Sequence, residues 1–192
     1  MKKLFLIILL LPLMPAFTQA ATLGFVAPSQ VVMGEEIEVE VTIATGGENI
    51  NALEGKIIWP TDKLELVKVD DVFSIVGLWL KEPKLSITTS GSLAFAGLIP
   101  SGYSEPTGQI LTLVFLPRTS GQAQVRAENI SVLKNDGLGT PVSTTVNELD
   151  LEITEGGAFN QHWLYILFSI VAIIISIFIW WVFHRRKKYF PV

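Results

Sequence analysis

Cysteine is absent from this chain of 192 residues, and histidine is nearly so, with two. The first absence excludes disulfides, thiol nucleophiles and cysteine zinc sites, and it fits a bacterial exported protein that needs no cross-links. The two histidines, His162 and His184, flank the most apolar stretch of the sequence. The body of the chain therefore has no imidazole to serve as base, metal ligand or triad member. Charge is also scarce, at 17% of residues where a soluble protein carries about 25%. Hydrophobic residues make up 49% and the mean hydropathy is +0.48. This apolar surplus lies at the two ends.

At the N-terminus, Lys2 and Lys3 precede an uncharged run from Leu4 to Met14, followed by Pro15 and a small-residue stretch ending Thr18-Gln19-Ala20-Ala21. A charged start, an apolar core and small residues at the minus-three and minus-one places describe a secretory signal, residues 1–20, cleaved between Ala20 and Ala21. Pro12 and Pro15 argue against a buried helix there. Near the C-terminus, Trp163 to Phe183 is 21 residues without a charge, roughly 31 Å as a helix and so long enough to span a bilayer's hydrocarbon core. Trp163 and Tyr165 mark one edge, Trp180 and Trp181 the other, as expected of interfacial aromatic rings. The basic tail 184–192, with Arg185-Arg186-Lys187-Lys188, is expected on the cytoplasmic side, which leaves the domain 21–153 and a linker 154–162 extracytoplasmic.

Setting the ends aside changes the charge balance. All 18 acidic residues lie between Glu35 and Glu155, with only 8 basic residues for company, a net charge of −10. Such a surface offers no basic patch for phosphates, so nucleic acid is excluded as a partner.

Between the ends the pattern is all-β. In Glu36 to Ile43, Ile37, Val39, Val41 and Ile43 share one face and the glutamates 36, 38 and 40 with Thr42 the other, one face buried and one wet. Further strands are expected at 53–59, 63–69, 85–89, 92–98, 109–116, 123–133 and 146–153, separated by turn residues that include Pro60-Thr61-Asp62, Pro100-Ser101-Gly102 and Asn135-Asp136-Gly137. The run Ile110 to Leu116 is apolar at both parities except Thr112, which predicts a strand covered on both sides. Eight or nine such strands over about 130 residues indicate a two-sheet jelly-roll sandwich.

These segments, in this order and spacing, resemble the cohesin domain of cellulosomal scaffold proteins over residues 23–153. The resemblance is carried by Val32 to Val39, by Leu53-Glu54-Gly55-Lys56-Ile57-Ile58-Trp59-Pro60 leading to Leu64 to Val69, by Leu93-Ala94-Phe95-Ala96-Gly97, by Gly108 to Phe115 and by Asn129 to Gly137. The family commonly has an aromatic residue followed by Asp-Pro at the end of its third segment, where this chain reads Trp59-Pro60-Thr61-Asp62. The resemblance implies a sandwich that binds proteins, in a superfamily that also holds carbohydrate-binding modules.

Candidate chemistry is sparse. Glu36, Glu38 and Glu40 alternate along one strand face and read as solvated surface, Asp70-Asp71 as a turn, so no catalytic residue and no cofactor is expected. Asn135 and Asp136 offer oxygen ligands for calcium in a Gly-rich loop, but without the regular Asp spacing and terminal Glu of a helix-loop-helix site; Asn-Asp-Gly is foremost a turn. Trp79, within the apolar run Val76 to Leu80, and Tyr103 are the candidate ligand-binding aromatics, whereas Trp59 at a strand end reads as core. Leu116-Pro117-Arg118-Thr119-Ser120 lacks the glycine of a sortase signal and reads as a strand end. Gly156-Gly157 reads as a hinge, and Asn129-Ile130-Ser131 matches the glycosylation pattern. The expectation is a membrane-anchored surface module for non-catalytic protein recognition, with a dockerin-like or other extracytoplasmic partner. The alternative is a polysaccharide-binding module using Trp79 and Tyr103.

Overall fold

The computed structural model describes residues 20–85, 91–156 and 161–186, with side chains in the last stretch described for 165–181. The chain divides into two compact units between Glu155 and Gly156. The first is a β-sandwich with eleven strands among the described residues: β1 (Ala21–Val26), β2 (Val31–Val32), β3 (Ile37–Ala44), β4 (Ile50–Ile58), β5 (Leu64–Asp70), β6 (Leu78–Lys81), β7 (Ser92–Tyr103), β8 (Thr107–Pro117), β9 (Gly121–Lys134), β10 (Thr144–Val146) and β11 (Leu149–Thr154). They form a five-stranded sheet in the order β10-β1-β3-β8-β5 and a six-stranded sheet in the order β2-β11-β9-β4-β7-β6. Pairing is antiparallel except at β1 with β10 and β2 with β11. Both sheets are therefore mixed.

Period-two alternation explains the core. On β3 the four β-branched residues Ile37, Val39, Val41 and Ile43 are buried, while Glu38 and Glu40 are exposed. Opposite them, Leu53, Ile57, Leu93, Phe95, Val125 and Val132 line the inner face of the six-stranded sheet and join the same apolar cluster. Trp59 closes this core edge-on against Phe115, ring centroids 5.3 Å apart, which confirms it as a core residue. Strand β8 lies between β3 and β5 and is buried from Ile110 to Phe115. Its outward Val114 is flanked in register by Glu38 and Lys68, and Thr112 by Glu40 and Asp70. The expected double cover thus comes on one side from the other sheet and on the other from the long side chains of neighbouring strands.

Three expectations change. The segment 146–153, read as one strand, is two: β10 ends at Val146 in one sheet and β11 begins at Leu149 in the other, with Asn147 donating its N–H to Leu23 O at the crossing (2.9 Å). The alternation breaks at this crossing: Asn147 and Glu148 are consecutive polar residues, and the apolar parity moves from Val146 to Leu149, Leu151 and Ile153. Pro100-Ser101-Gly102, read as a turn, lies inside β7. There Gly102 has a positive φ of 73°, and a Cβ would lie 2.3 Å from Asn135 Nδ2 and 2.4 Å from Asn49 Oδ1. The glycine serves a close approach within a strand instead of a reversal. The strand expected at 85–89 falls mostly on 86–90, outside the described residues, as does the signal segment. Strands β1, β2 and β6 add to the eight or nine expected.

The second unit contains helix α1 (Gln161–Arg186), 26 residues. Every described side chain on it, 165–181, is exposed. Ser169 and Ser176 donate their hydroxyls to the carbonyls of Tyr165 (2.7 Å) and Ala172 (2.8 Å), so neither leaves a polar group unsatisfied along the apolar rod. Among the described residues no helix is long and apolar enough to cross a membrane.

Candidate functional site

The two outer sheet faces differ in chemistry. That of the five-stranded sheet is polar: Glu38 and Glu40 on β3, Lys68 ion-paired to Asp70 at 2.5 Å on β5, and Glu65 paired with Arg118. Asp70 also accepts the Val72 N–H at 3.0 Å. The lysine beside it, then that N–H, hold the Asp70 carboxyl below its usual range, and Asp70 in turn raises Lys68.

The outer face of the six-stranded sheet is divided. Toward β11 it is polar, with Gln122 and Gln124 donating amide hydrogens to Glu152, Glu148 and Asp150, and Arg126 paired with Glu128 at 3.1 Å. Toward β6 it is apolar. Ala52, Ala96, Leu98, Leu133 and Leu80 line a shallow hollow of about 200 Å³, with Glu54 and Ser131 at its edge. Alanines keep the floor low, and leucines from three strands raise the walls. Leu78 and Leu80 are 52% and 67% exposed. Glu54 makes no ion pair and no side-chain hydrogen bond among the described residues, so a carboxylate stands beside the apolar floor without a counter-ion of its own.

A β-bulge builds this face. Along β9, Ala123 and Val125 point inward, and an unbroken alternation would send Ser131 and Leu133 inward too. Between Glu54 and Lys56 of β4, β9 gains one residue, and Asn129 takes up the extra length at φ 54°, the one non-glycine with positive φ among the described residues. The parity flips, so that Val132 is buried and Ser131 and Leu133 turn to the hollow. Asn tolerates this backbone region better than other residues with a Cβ. Gly55 makes the inner side possible: a Cβ there would lie 2.3 Å from Ile130 Cδ1 and 3.0 Å from Phe95 Cζ.

Of the residues singled out in the sequence, Trp79 and Tyr103 are both partly buried and packed against the core. Trp79 donates its indole N–H to Asp71 Oδ2 at 2.7 Å, and Tyr103 its hydroxyl to Thr107 O at 2.7 Å. Neither ring lines the hollow. Asp136 accepts the Leu138 N–H at 2.9 Å. The Thr140 hydroxyl, then that N–H, hold its carboxyl below the usual value, so its oxygens are engaged by their own turn. Asn135 donates its N–H to Asn49 O at 2.8 Å, and its Oδ1 accepts from Asn51 at 3.4 Å. Among the described residues no group of three or more His, Asp or Glu side chains could hold a metal ion. The hollow itself was missed because its residues are individually ordinary alanines and leucines on four strands, and only the bulge at Asn129 and the edge strand β6 bring them together.

The sandwich thus presents one charged and one partly apolar outer face. Solved structures define its fold more closely. A non-cellulosomal cohesin from the hyperthermophilic archaeon Archaeoglobus fulgidus superposes at a TM-score of 0.58 and 16% identity, covering 74% of this chain and 97% of that one. A chain of the Coh-OlpC–Doc435 cohesin–dockerin complex from Clostridium thermocellum superposes at 0.58 and 11% identity (72% and 96%). A cohesin module of a Clostridium perfringens family 33 glycoside hydrolase superposes at 0.56 and 12% identity (72% and 100%). No family model and no curated protein matches the sequence. The domain has the cohesin fold, as the resemblance implied.

Proposed function

We propose that the protein is a membrane-anchored, extracytoplasmic recognition module without catalytic activity, whose partner docks on the outer face of the six-stranded sheet. The observation that carries this reading is the apolar hollow bounded by Leu80, Leu98 and Leu133 in an otherwise strongly charged domain. Apolar surface left open on a stable sheet marks an interaction site. The domain's net charge of −10 and the unpaired Glu54 favour a partner that carries an apolar ridge with basic residues beside it. Solved chains of this fold come from cohesin–dockerin complexes, and a dockerin-like helical segment has the shape for a shallow hollow on a sheet. The packing of Trp79 and Tyr103 weighs against stacking of sugar rings and so favours a protein over a polysaccharide.

The uncharged run Trp163 to Phe183 and the basic tail after it support anchoring by one span with the tail cytoplasmic, and the N-terminal segment supports export with cleavage after Ala20. The docking reading is tested by titrating a panel of dockerin modules into the full chain in lipid nanodiscs by calorimetry. At least one module binds, and Leu80→Asp together with Leu98→Asp weakens it by roughly 100-fold, while Glu38→Gln on the opposite sheet leaves it unchanged. Retention of an insoluble polysaccharide with no dockerin bound would replace this reading by carbohydrate binding. The anchor is tested by washing membranes with alkaline carbonate, which leaves the full chain in the pellet.

A further inference from the structure

The segment from Asp71 to Lys81 bridges the two sheets. It leaves the edge of one sheet and arrives at the edge of the other. Ser74 donates its hydroxyl to Ile110 O at 2.6 Å and Ile75 its N–H to Gln109 O at 2.9 Å, which fixes the segment to β8. Two residues later Gly77 donates its N–H to Leu98 O at 3.0 Å, and β6 begins its pairing with β7. The strap is seated where glycines remove the Cβ: at Gly108 one would lie 2.7 Å from Ile75 Cγ2, and at Gly97 one would lie 2.4 Å from Val76 Cγ1 and 3.0 Å from Trp79 Cε3. Gly97 belongs to the inward set of β7, so Trp79 packs on the core side while its neighbours Leu78 and Leu80 turn outward. The register slips by one between Trp79 and Lys81, leaving Leu80 without a partner across from it. What holds Leu80 against the hollow is therefore the indole next to it, locked by Gly97 below and by the Asp71 carboxylate at its N–H.

We infer that the segment 71–81 is a strap that sets one wall of the docking hollow, and that Asp71 is its positioning residue, acting through Trp79 without touching the partner. This deepens the docking reading and rests on it. An edge strand of four residues with one neighbouring strand has little else to define its place. The carboxylate–indole bond closes a loop of eight residues and so couples the start of the strap to β6.

The test uses the full chain in nanodiscs, with hydrogen exchange read on the peptide covering 77–81 and affinity read with whichever dockerin module binds the wild type. Asp71→Ala and Trp79→Phe each speed exchange of that peptide by about fivefold, as the loss of one hydrogen bond implies. The double variant is no faster than either single one, because they remove the same interaction. Asp71→Asn restores protection, since its amide oxygen accepts the same indole N–H. Affinity falls and recovers in the same order, and exchange in 121–134 stays unchanged. If exchange at 77–81 is the same in all variants, the strap is held by something else and the inference is wrong, whatever binds. If exchange rises but affinity does not move, Asp71 does not position the interface. If no module binds the wild type, it is the docking reading that fails, and the role of Asp71 in docking falls with it.

Discussion

At the scale of single residues, backbone conformation accounts for more of the apolar hollow than side-chain identity does. Asn129 is the pivot: its positive φ absorbs the extra residue that turns Ser131 and Leu133 outward. A β-branched residue tolerates that region poorly. Asn129→Val is expected to cost about 2 kcal/mol, whereas Asn129→Gly stays within about 0.5 kcal/mol, both read from urea midpoints of the full chain. Gly55→Ala must move Ile130 or Phe95 and is expected to cost about 1–3 kcal/mol by overpacking. The Lys68–Asp70 pair gives a pH prediction. Asp70 has its folded pKa below 3.8, so it contributes stability that is present above 3.8 and is lost as pH falls through the lower folded value. Asp70→Asn therefore lowers the urea midpoint at pH 6, and the difference from wild type shrinks as the pH is taken below 3.8. Lys68, raised above 10.5, contributes in the opposite sense, with stability present below 10.5 and lost as pH climbs through the raised value.

At the scale of elements, the strands at the two ends of the domain do a different job from those in the middle. Strands β3, β4, β7, β8 and β9 carry the alternation that fills the core, and each was legible as a strand, with boundaries within three residues except at the end of β7, which runs through the expected turn to Tyr103. The short strands β1 with β10 and β2 with β11 form the two parallel pairs, and each pair joins an early segment to a late one. They tie the sequence ends of the domain into both sheets. Two- and three-residue strands carry too little pattern to be read in sequence; their pairing exists only once distant segments meet. At the core, Phe115→Ala removes the edge contact to Trp59 and leaves a cavity. A loss of about 3–5 kcal/mol is expected in urea unfolding, with the β8 amides losing hydrogen-exchange protection first.

At the scale of the whole molecule, the low overall charge conceals a strong separation. The chain carries −4 in total, while the stretch from Ala21 to Glu155 carries −10 and the basic residues collect at the ends. Association with a basic partner is steered by such a field and screened by salt. The association rate of the dockerin module that binds is expected to fall severalfold between 50 mM and 500 mM salt, with the dissociation rate little changed, as surface plasmon resonance would show. The apolar surplus of the composition is assigned to the run Trp163 to Phe183 and to the N-terminal segment, and the domain itself is acidic.

The chain's own order of residues was enough to determine the all-β class, the inward face of β3, the burial of β8 on both sides and the uncharged run that α1 forms. These follow from periodicity and length, which are local properties that each segment carries by itself. Only the tertiary structure decided where the site lies. The hollow is made of Ala52, Ala96, Leu98 and Leu133 on three adjacent strands and Leu80 on an edge. Whether those residues face the core or the solvent depends on a bulge and a register slip that cross-strand pairing sets. A shift of one residue exchanges the two faces of a strand, and sequence alternation, which is the same in either phase, cannot distinguish them.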